Sequence, residues 1–426
     1  MDRLPNELLL HVLAFLDGAS LVRCKRVCKQ WQIVVTAILM HGNALWRMIC
    51  LSEIDPEVLA ELQGGLEHDC DDLELDWFKT YRSWYCASAV SKSPHLTCKY
   101  STSFEGEVTC LKASGDLIVT GHKSGQIVTW NARSGDVLSA VKQYCVCSIT
   151  DLVLLDLRGS GTRPWDSLGC VHSHVVCATC VPHLEAYSLG INCRRVALIR
   201  TSYPVTSLKV SGDLLATLCV VRCLVSVMRV SRNEEGGLHF QPLLRIPNKQ
   251  GACSWIGITQ ACLTHVGPRW VAGRVSLVDQ QSRTWRVALQ GCGEPLHVMH
   301  ALVQRQGFIV ITTVDMRVCI SIDGSHNMCE MEAARGWNGR ATALALWGEL
   351  LAIGLDSGRL CVYHLRGSLV DLASRQPDWT EQLTTDPITY IDVTSDPRTS
   401  RPTLVAASRH ELHVIKWPVH HTPNRD

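Results

Sequence analysis

The sequence predicts an α + all-β chain: a small helical head, a helical linker, then a β-propeller of about seven four-stranded blades. Three observations predict this. Apolar residues recur at helical spacing as far as Ser91, and short β-branched runs bounded by Gly, Asp and Ser follow. The phrase VTCLKASGDLIVT from Val108 returns as VTSLKVSGDLLAT from Val205, with nine of thirteen letters identical. GDLIVTGHKSGQIVTW from Gly115 returns as GELLAIGLDSGRLCVY from Gly348, and TLVAASRHELHVIKW puts Trp417 where the first copy has Trp130. The displacements are about two, five and six units of ~47 residues, a period that signifies repeated sheets. The expected division is a head over 1–47, a linker over 48–95, the propeller over 96–420 and a tail over 421–426.

In the head, Pro5 suits a first helical position and Glu7 the positive end of a helix, so a helix starts at Leu4-Pro5-Asn6-Glu7. Leu8, Leu9, Val12, Leu13 and Leu16 form its broad apolar stripe, and Asp17-Gly18 ends it. A second run carries Leu21, Cys24, Val27, Cys28 and Trp31. Asp55-Pro56-Glu57 caps a short helix that stops at Gly64-Gly65. Trp77, Tyr81 and Trp84 give a third apolar face, and these last helices are expected to pack the head onto the propeller.

In the first repeat, Val108 to Lys112, Leu117 to Thr120 and Gln126 to Trp130 read as strands. Ser114-Gly115-Asp116 and Lys123-Ser124-Gly125 are their turns, where Gly supplies positive φ. Trp255, Trp270 and Trp285 fall in a worn middle stretch. The last repeat supplies Ile388 to Val393, Leu404 to Ala407 and Leu412 to Trp417, then lacks a fourth strand. Leu96 to Thr102 has strand alternation and can complete that sheet, hiding an edge that would invite aggregation.

Composition narrows the function. Lys+Arg 41 against Asp+Glu 40 gives a net charge of +1, without the basic surplus expected of a nucleic-acid protein. The longest apolar stretch, Ile33 to Met40, is shorter than the about 20 residues a membrane span needs. Cysteine is frequent, at 21, yet the Met1-Asp2-Arg3 start has no signal-peptide pattern, so reduced thiols and a cytoplasmic setting, with the nucleus also open, are expected.

A head of about 45 residues presents a broader apolar stripe than its own core needs. Either the stripe packs onto the propeller or it awaits a partner. LPNELLLHVLAFLDGASLVRCKRVCKQW, followed by Leu45-Trp46-Arg47, resembles the F-box. Leu4-Pro5, the Leu-rich helix ending at Asp17, and Val27-Cys28-Lys29-Gln30-Trp31 carry the resemblance over roughly residues 1–47. The interval between Trp31 and Leu45 is longer than usual, which implies an extended third helix. The resemblance implies docking on a Skp-type adaptor, and through it on a cullin–RING scaffold. The matching contact residues are Leu4, Pro5, Leu8, Leu9, Val12, Leu13, Leu16, Leu21, Val27 and Cys28, with Trp31 assigned to core.

The repeats resemble WD repeats, so the layout is similar to the F-box/WD-repeat family. The naming Trp-Asp pair reads Trp130-Asn131 and Tyr363-His364, and Gly121-His122 lies on a different turn from the family's Gly-His pair. The polar network of a regular repeat is therefore expected to be largely missing. Arg200, Arg335 and Arg340 are expected near the starts of inner strands, where they would hold a protein substrate, with the turn of Lys123 on the opposite face. The implied role is the substrate-recognition subunit of an SCF-type ubiquitin ligase; the alternative is a propeller scaffold outside any ligase.

Other chemistry is set aside. Cys170, His172, His174, Cys177, Cys180 and His183 are numerous enough for zinc, but strand alternation would point Cys177 and Cys180 apart. No nucleophile motif or phosphate-binding Gly loop stands between a strand and a helix, so no enzyme activity, metal or cofactor is expected. Asp71 to Asp76 reads as a solvated helix entry.

Overall fold

A computed structural model describes residues 5–63, 76–88, 90, 95–102, 106–142, 147–155, 157, 174–189, 193–222, 224–233, 237–247, 253–268, 271–286, 288–289, 297–305, 308–321, 327–337, 339–365 and 374–417. Leu4, Gly64-Gly65, Cys170, His172 and Trp270 lie outside them.

The head contains α1 (Asn6–Leu13), α2 (Gly18–Cys24), α3 (Lys29–His41), α4 (Asn43–Glu53), α5 (Pro56–Leu62) and α6 (Trp77–Ala87). Asp17 does not simply end α1, which stops at Leu13. Its carboxylate accepts the Ser20 amide at 2.8 Å and so caps α2. Asp55 caps α5 through the Glu57 and Val58 amides, as its Asp-Pro-Glu signature predicts. Asp76, the last of the acidic run, caps α6 through the Lys79 amide at 2.9 Å. α3 is extended, filling the long interval after Trp31, and Gly42 separates it from α4.

One core joins all six helices. Leu9, Leu13, Leu21, Val35, Trp46, Ile49, Leu59, Trp77 and Tyr81 pack together, so packing continues across residue 47. Gly18 is required there, because a Cβ would stand 2.4 Å from the Tyr81 ring. Glu53 ties the core at two points, accepting from the Gly18 amide at 2.8 Å and the Tyr81 hydroxyl at 2.9 Å.

The propeller has seven blades. Their inner strands are Val108–Ser114, Ile149–Leu155, Ser207–Ser211, Trp255–Ile258, Val298–Gln304, Ala341–Trp347 and Tyr390–Ser395. The sequence copies fall on blades one, three, six and seven, as whole-blade displacements require. Blade one adds Leu117–His122, Gln126–Asn131 and Val137–Lys142. Blade five carries a short fifth strand, Ala288–Leu289, running parallel to Asn327–Glu330. Leu96–Ser101 completes blade seven antiparallel to Glu411–Lys416, in the register Leu96↔Lys416 to Ser101↔Glu411. The two ends of the propeller sequence thus share one sheet, and the ring closes.

The acid in the first turn explains why the copies were readable. Asp116, Asp213 and Glu349 follow Gly115, Gly212 and Gly348, whose φ values are +58, +55 and +55. Their carbonyls each accept, at 2.7 Å, an amide at or near the end of the third strand: Ala132, Val230 and Leu365. Their carboxylates pair with Arg133, Arg229 and His364. Gly-Asp or Gly-Glu therefore locks three of four strands in each of these blades.

Candidate adaptor face and partner-binding rim

On α1 the apolar residues divide into two stripes. Leu9 and Leu13, one turn apart, enter the core at 1% and 0% exposure, and Leu21 joins them at 0%. These three assigned contact residues are therefore internal in this chain, within the core that joins the six helices. Leu8, Val12 and Phe15 face outward with 54%, 51% and 79% of their surface exposed. Pro5, Val27 and Cys28 are also exposed, and Leu16 is half-buried. Trp31 packs against the core from its edge.

Three outward residues were missed by sequence reasoning. Phe15 lies beyond the matched stripe, and Ile33 and Met40 on α3 are about three-quarters exposed. Their signal was present, since Ile33, Ala37 and Met40 recur at i, i+4 and i+7. Gln30 donates to the Asn6 carboxamide at 3.1 Å and ties the start of α3 to the start of α1.

The head rests on one face of the ring, the side of the first turns. Glu61 of α5 accepts from the Arg305 guanidinium at 2.9 Å and from the Gly348 amide at 3.0 Å. Burial pushes the Glu61 carboxyl above its usual value, against the opposing pull of Arg305. Ala87 and Val90, just beyond the aromatic face of α6, enter the core between blades six and seven. Trp77, Tyr81 and Trp84 themselves belong to the head's core.

The inner strands begin on the opposite face, which the head leaves open. Arg340 stands there, immediately before Ala341–Trp347, with its amide on the Asp356 carboxylate at 2.8 Å. Arg335 lies in a 3-10 turn, Glu332–Gly336, that precedes the same strand. Arg200 is elsewhere than expected. It ends Arg195–Arg200, the outermost strand of blade two, because the chain still crosses a six-residue loop before the next inner strand. The three arginines therefore do not form one cluster. The Lys123 turn is on this same face, not the opposite one, since the Lys123 amide donates to the Glu107 carbonyl at 2.9 Å beside the first inner strand.

Blade one retains a polar network, although the departures from the family pattern predict such networks to be largely missing. The Trp130 indole donates to the Thr120 hydroxyl at 2.9 Å, and Thr120 lies 2.8 Å from His122 Nε2. His122 Nδ1 is 3.1 Å from the Gly106 carbonyl. A carbonyl only accepts, so Nδ1 carries the proton and Thr120 donates to Nε2. Burial lowers the His122 pKa, consistent with this neutral form.

The channel wall is charged on one side. Asp392 accepts the Ala113 amide at 2.8 Å and faces the Lys112 ammonium at 3.5 Å. Asp151 accepts the Leu208 amide at 2.7 Å. These carboxylates join neighbouring blades. Asp392 raises the Lys112 pKa, whereas burial, followed by the repulsion of Lys112, lowers that of Lys209. Among the described residues, no cluster of three metal-ligating side chains occurs; Cys177 is buried and Cys180 exposed.

Comparison with known proteins agrees with this architecture. Residues 1–52 match the F-box-like family model. F-box/WD repeat-containing protein 7 of Drosophila melanogaster is 28% identical over 142 residues, covering 32% of this chain and 10% of that protein. An F-box protein of Arabidopsis thaliana is 25% identical over 131 residues, covering 30% of this chain and 43% of that protein. The matches thus span less than half of either relative. The crystal structure of the computationally designed Ika8 protein superposes with a TM-score of 0.52 at 14% identity, over 75% of this chain and 99% of that one, a likeness of fold alone.

Proposed function

We propose that this chain, an F-box-like head joined to a seven-bladed propeller, is the substrate-recognition subunit of an SCF-type cullin–RING ubiquitin ligase. The head docks on a Skp-type adaptor, and the adaptor bridges to the cullin. The propeller holds a protein substrate on the face away from the head. No bond chemistry is assigned to the chain itself: it acts by proximity, raising the effective concentration of a substrate lysine near the conjugating enzyme. The working compartment is the cytoplasm or the nucleus.

The observation that carries this reading is the outward stripe of Leu8, Val12 and Phe15. The head is already anchored to the propeller by α5 and the end of α6, yet this stripe remains exposed. Amphipathic helices with unsatisfied apolar anchors are suited to helix-in-groove recognition. Retained from the expected contact set are Leu4, Pro5, Leu8, Val12, Leu16, Val27 and Cys28, with Phe15 added.

The test compares substitutions on the two sides of α1. Leu8→Asp with Val12→Asp should abolish co-purification of the adaptor while the melting transition is kept. Leu9→Ala should instead cost about 2–5 kcal/mol of head stability through the cavity it leaves. Full adaptor capture by the Leu8/Val12 variant would refute the docking surface and favour the scaffold reading.

A further inference from the structure

The net charge of +1 conceals an uneven distribution. Residues 190–278 contain eleven Lys and Arg but three Asp and Glu. Of these acids Asp213 is on a first turn, on the side of the head, where it pairs with Arg229 at 3.0 Å. On the opposite face of blades two and three, Arg200, Arg222 and Arg245 are exposed, and Asp151, near the start of blade two's inner strand, is turned to the Leu208 amide.

A cleft opens on that face between the outer strands of the two blades. Its volume is about 130 Å³. Val205, Met228, Phe240 and Leu244 form the apolar lining, and Arg200 and Arg245 line it beside them. Tyr203 also lines the cleft, and the Arg222 guanidinium lies over its ring, 4.9 Å from the centroid. All three arginines are exposed. Among the described residues, no carboxylate pairs with any of them. The stack on Tyr203 holds one guanidinium in place while its edge stays open to a carboxylate, which lowers the entropy lost on pairing.

We propose that this inter-blade cleft binds an acidic segment of the protein partner, with one bulky apolar side chain in the cleft and flanking Asp or Glu side chains on Arg200, Arg222 and Arg245. The inference deepens the proposed function, resting on its assignment of the propeller as the partner-holding module. The volume decides the anchor. An apolar cavity of ~150 Å³ accommodates a benzene ring, so about one aliphatic or aromatic side chain fits here. The arginines decide its neighbours, since the guanidinium fork pairs bidentately with carboxylates in strong, charge-assisted hydrogen bonds. An acidic segment without an apolar residue would leave the cleft empty, and an apolar one without acids would leave three cations unmatched.

The test uses the full chain and a fluorescein-labelled peptide alternating Glu and Leu, followed by fluorescence anisotropy. The Glu/Leu peptide should bind in a salt-sensitive manner, and its Lys/Leu and Glu/Ser counterparts should bind at least about tenfold more weakly, a difference of about 1.4 kcal/mol. Arg200→Glu with Arg245→Glu should abolish binding, and Arg222→Lys should weaken it by removing the stack without removing the charge. Lys123→Glu, on the same face but on blade one, should leave it within about twofold. Adaptor capture is measured on the same samples: its loss bears on the head alone. Failure of the Glu/Leu peptide to bind, binding that survives the Arg200/Arg245 reversal, or tighter binding of single-stranded oligothymidine would each overturn the proposal.

Discussion

His122 is neutral because its neighbours leave room for one ring proton, and it is one of several such histidines. Burial lowers the pKa of His122, His265 and His413, and brings His174 to about 4. The unfolded chain protonates each near 6.5, so below that pH it binds more protons than the folded chain. The stabilisation is complete above about 6.5 and is lost as pH falls toward the lowered folded values. The melting temperature should therefore drop between pH 7 and 5, and His174→Asn should make that drop shallower; an equally steep fall in the variant would contradict the assignment. The network around His122 was only half legible in the sequence. Thr120 and His122 share one strand face at i and i+2, which the sequence shows, but Gly121-His122, expected on a turn, ends the strand Leu117–His122 instead. A hydrogen-bond chain requires proximity, not a fixed register, and proximity to Trp130 and Gly106 appears only on folding.

Among the elements, the first strand of the propeller is the one that makes the ring. Leu96–Ser101 pairs along its whole length with Glu411–Lys416, and Lys99 meets Glu411 at 2.7 Å. An exposed pair of that kind contributes about 0–1 kcal/mol, so the ladder and the covered edge matter more. A chain beginning at Cys86 keeps Ala87 and Val90 in their core and should remain monodisperse. One beginning at Ser103 bares the Glu411–Lys416 edge and should aggregate and melt lower, as light scattering and calorimetry would record; equal behaviour would refute the closure. This strand was legible because a missing fourth strand at one end matched a surplus one at the other. Blades with Gly-Asp or Gly-Glu turns were legible too, since that acid is a repeated lock. Blade four has no such turn: Gln260 occupies it and donates instead to the Ser211 carbonyl of blade three at 2.8 Å. The division of Leu8 to Leu16 into inward and outward residues was not legible, because an apolar stripe this broad does not mark which of its edges enters the core.

At the scale of the whole molecule, head and propeller are set by a contact between residues 244 positions apart, Glu61 and Arg305. Neither lies in one of the copied phrases or in a motif, and nothing in the sequence signals the pair. The backbone of Arg305 does: its φ is +54 at the first turn of blade five, where blades one, three and six use glycine. A non-glycine residue there costs roughly 1–2 kcal/mol. Removing Arg305 would strand the Glu61 carboxylate, and leaving one partner of a largely buried pair alone costs about 3–5 kcal/mol. Arg305→Gly therefore divides the two effects. It relieves the turn but leaves the Glu61 carboxylate in its half-enclosed site without a cation. The variant should bind adaptor and partner separately as the parent does, while α5 lifts from the ring. Proteolysis between residues 63 and 96 should then accelerate, and the second substitution Glu61→Leu, which removes the stranded charge, should slow it again. Unchanged cleavage in Arg305→Gly would mean that the packing of Ala87 and Val90 alone fixes the head.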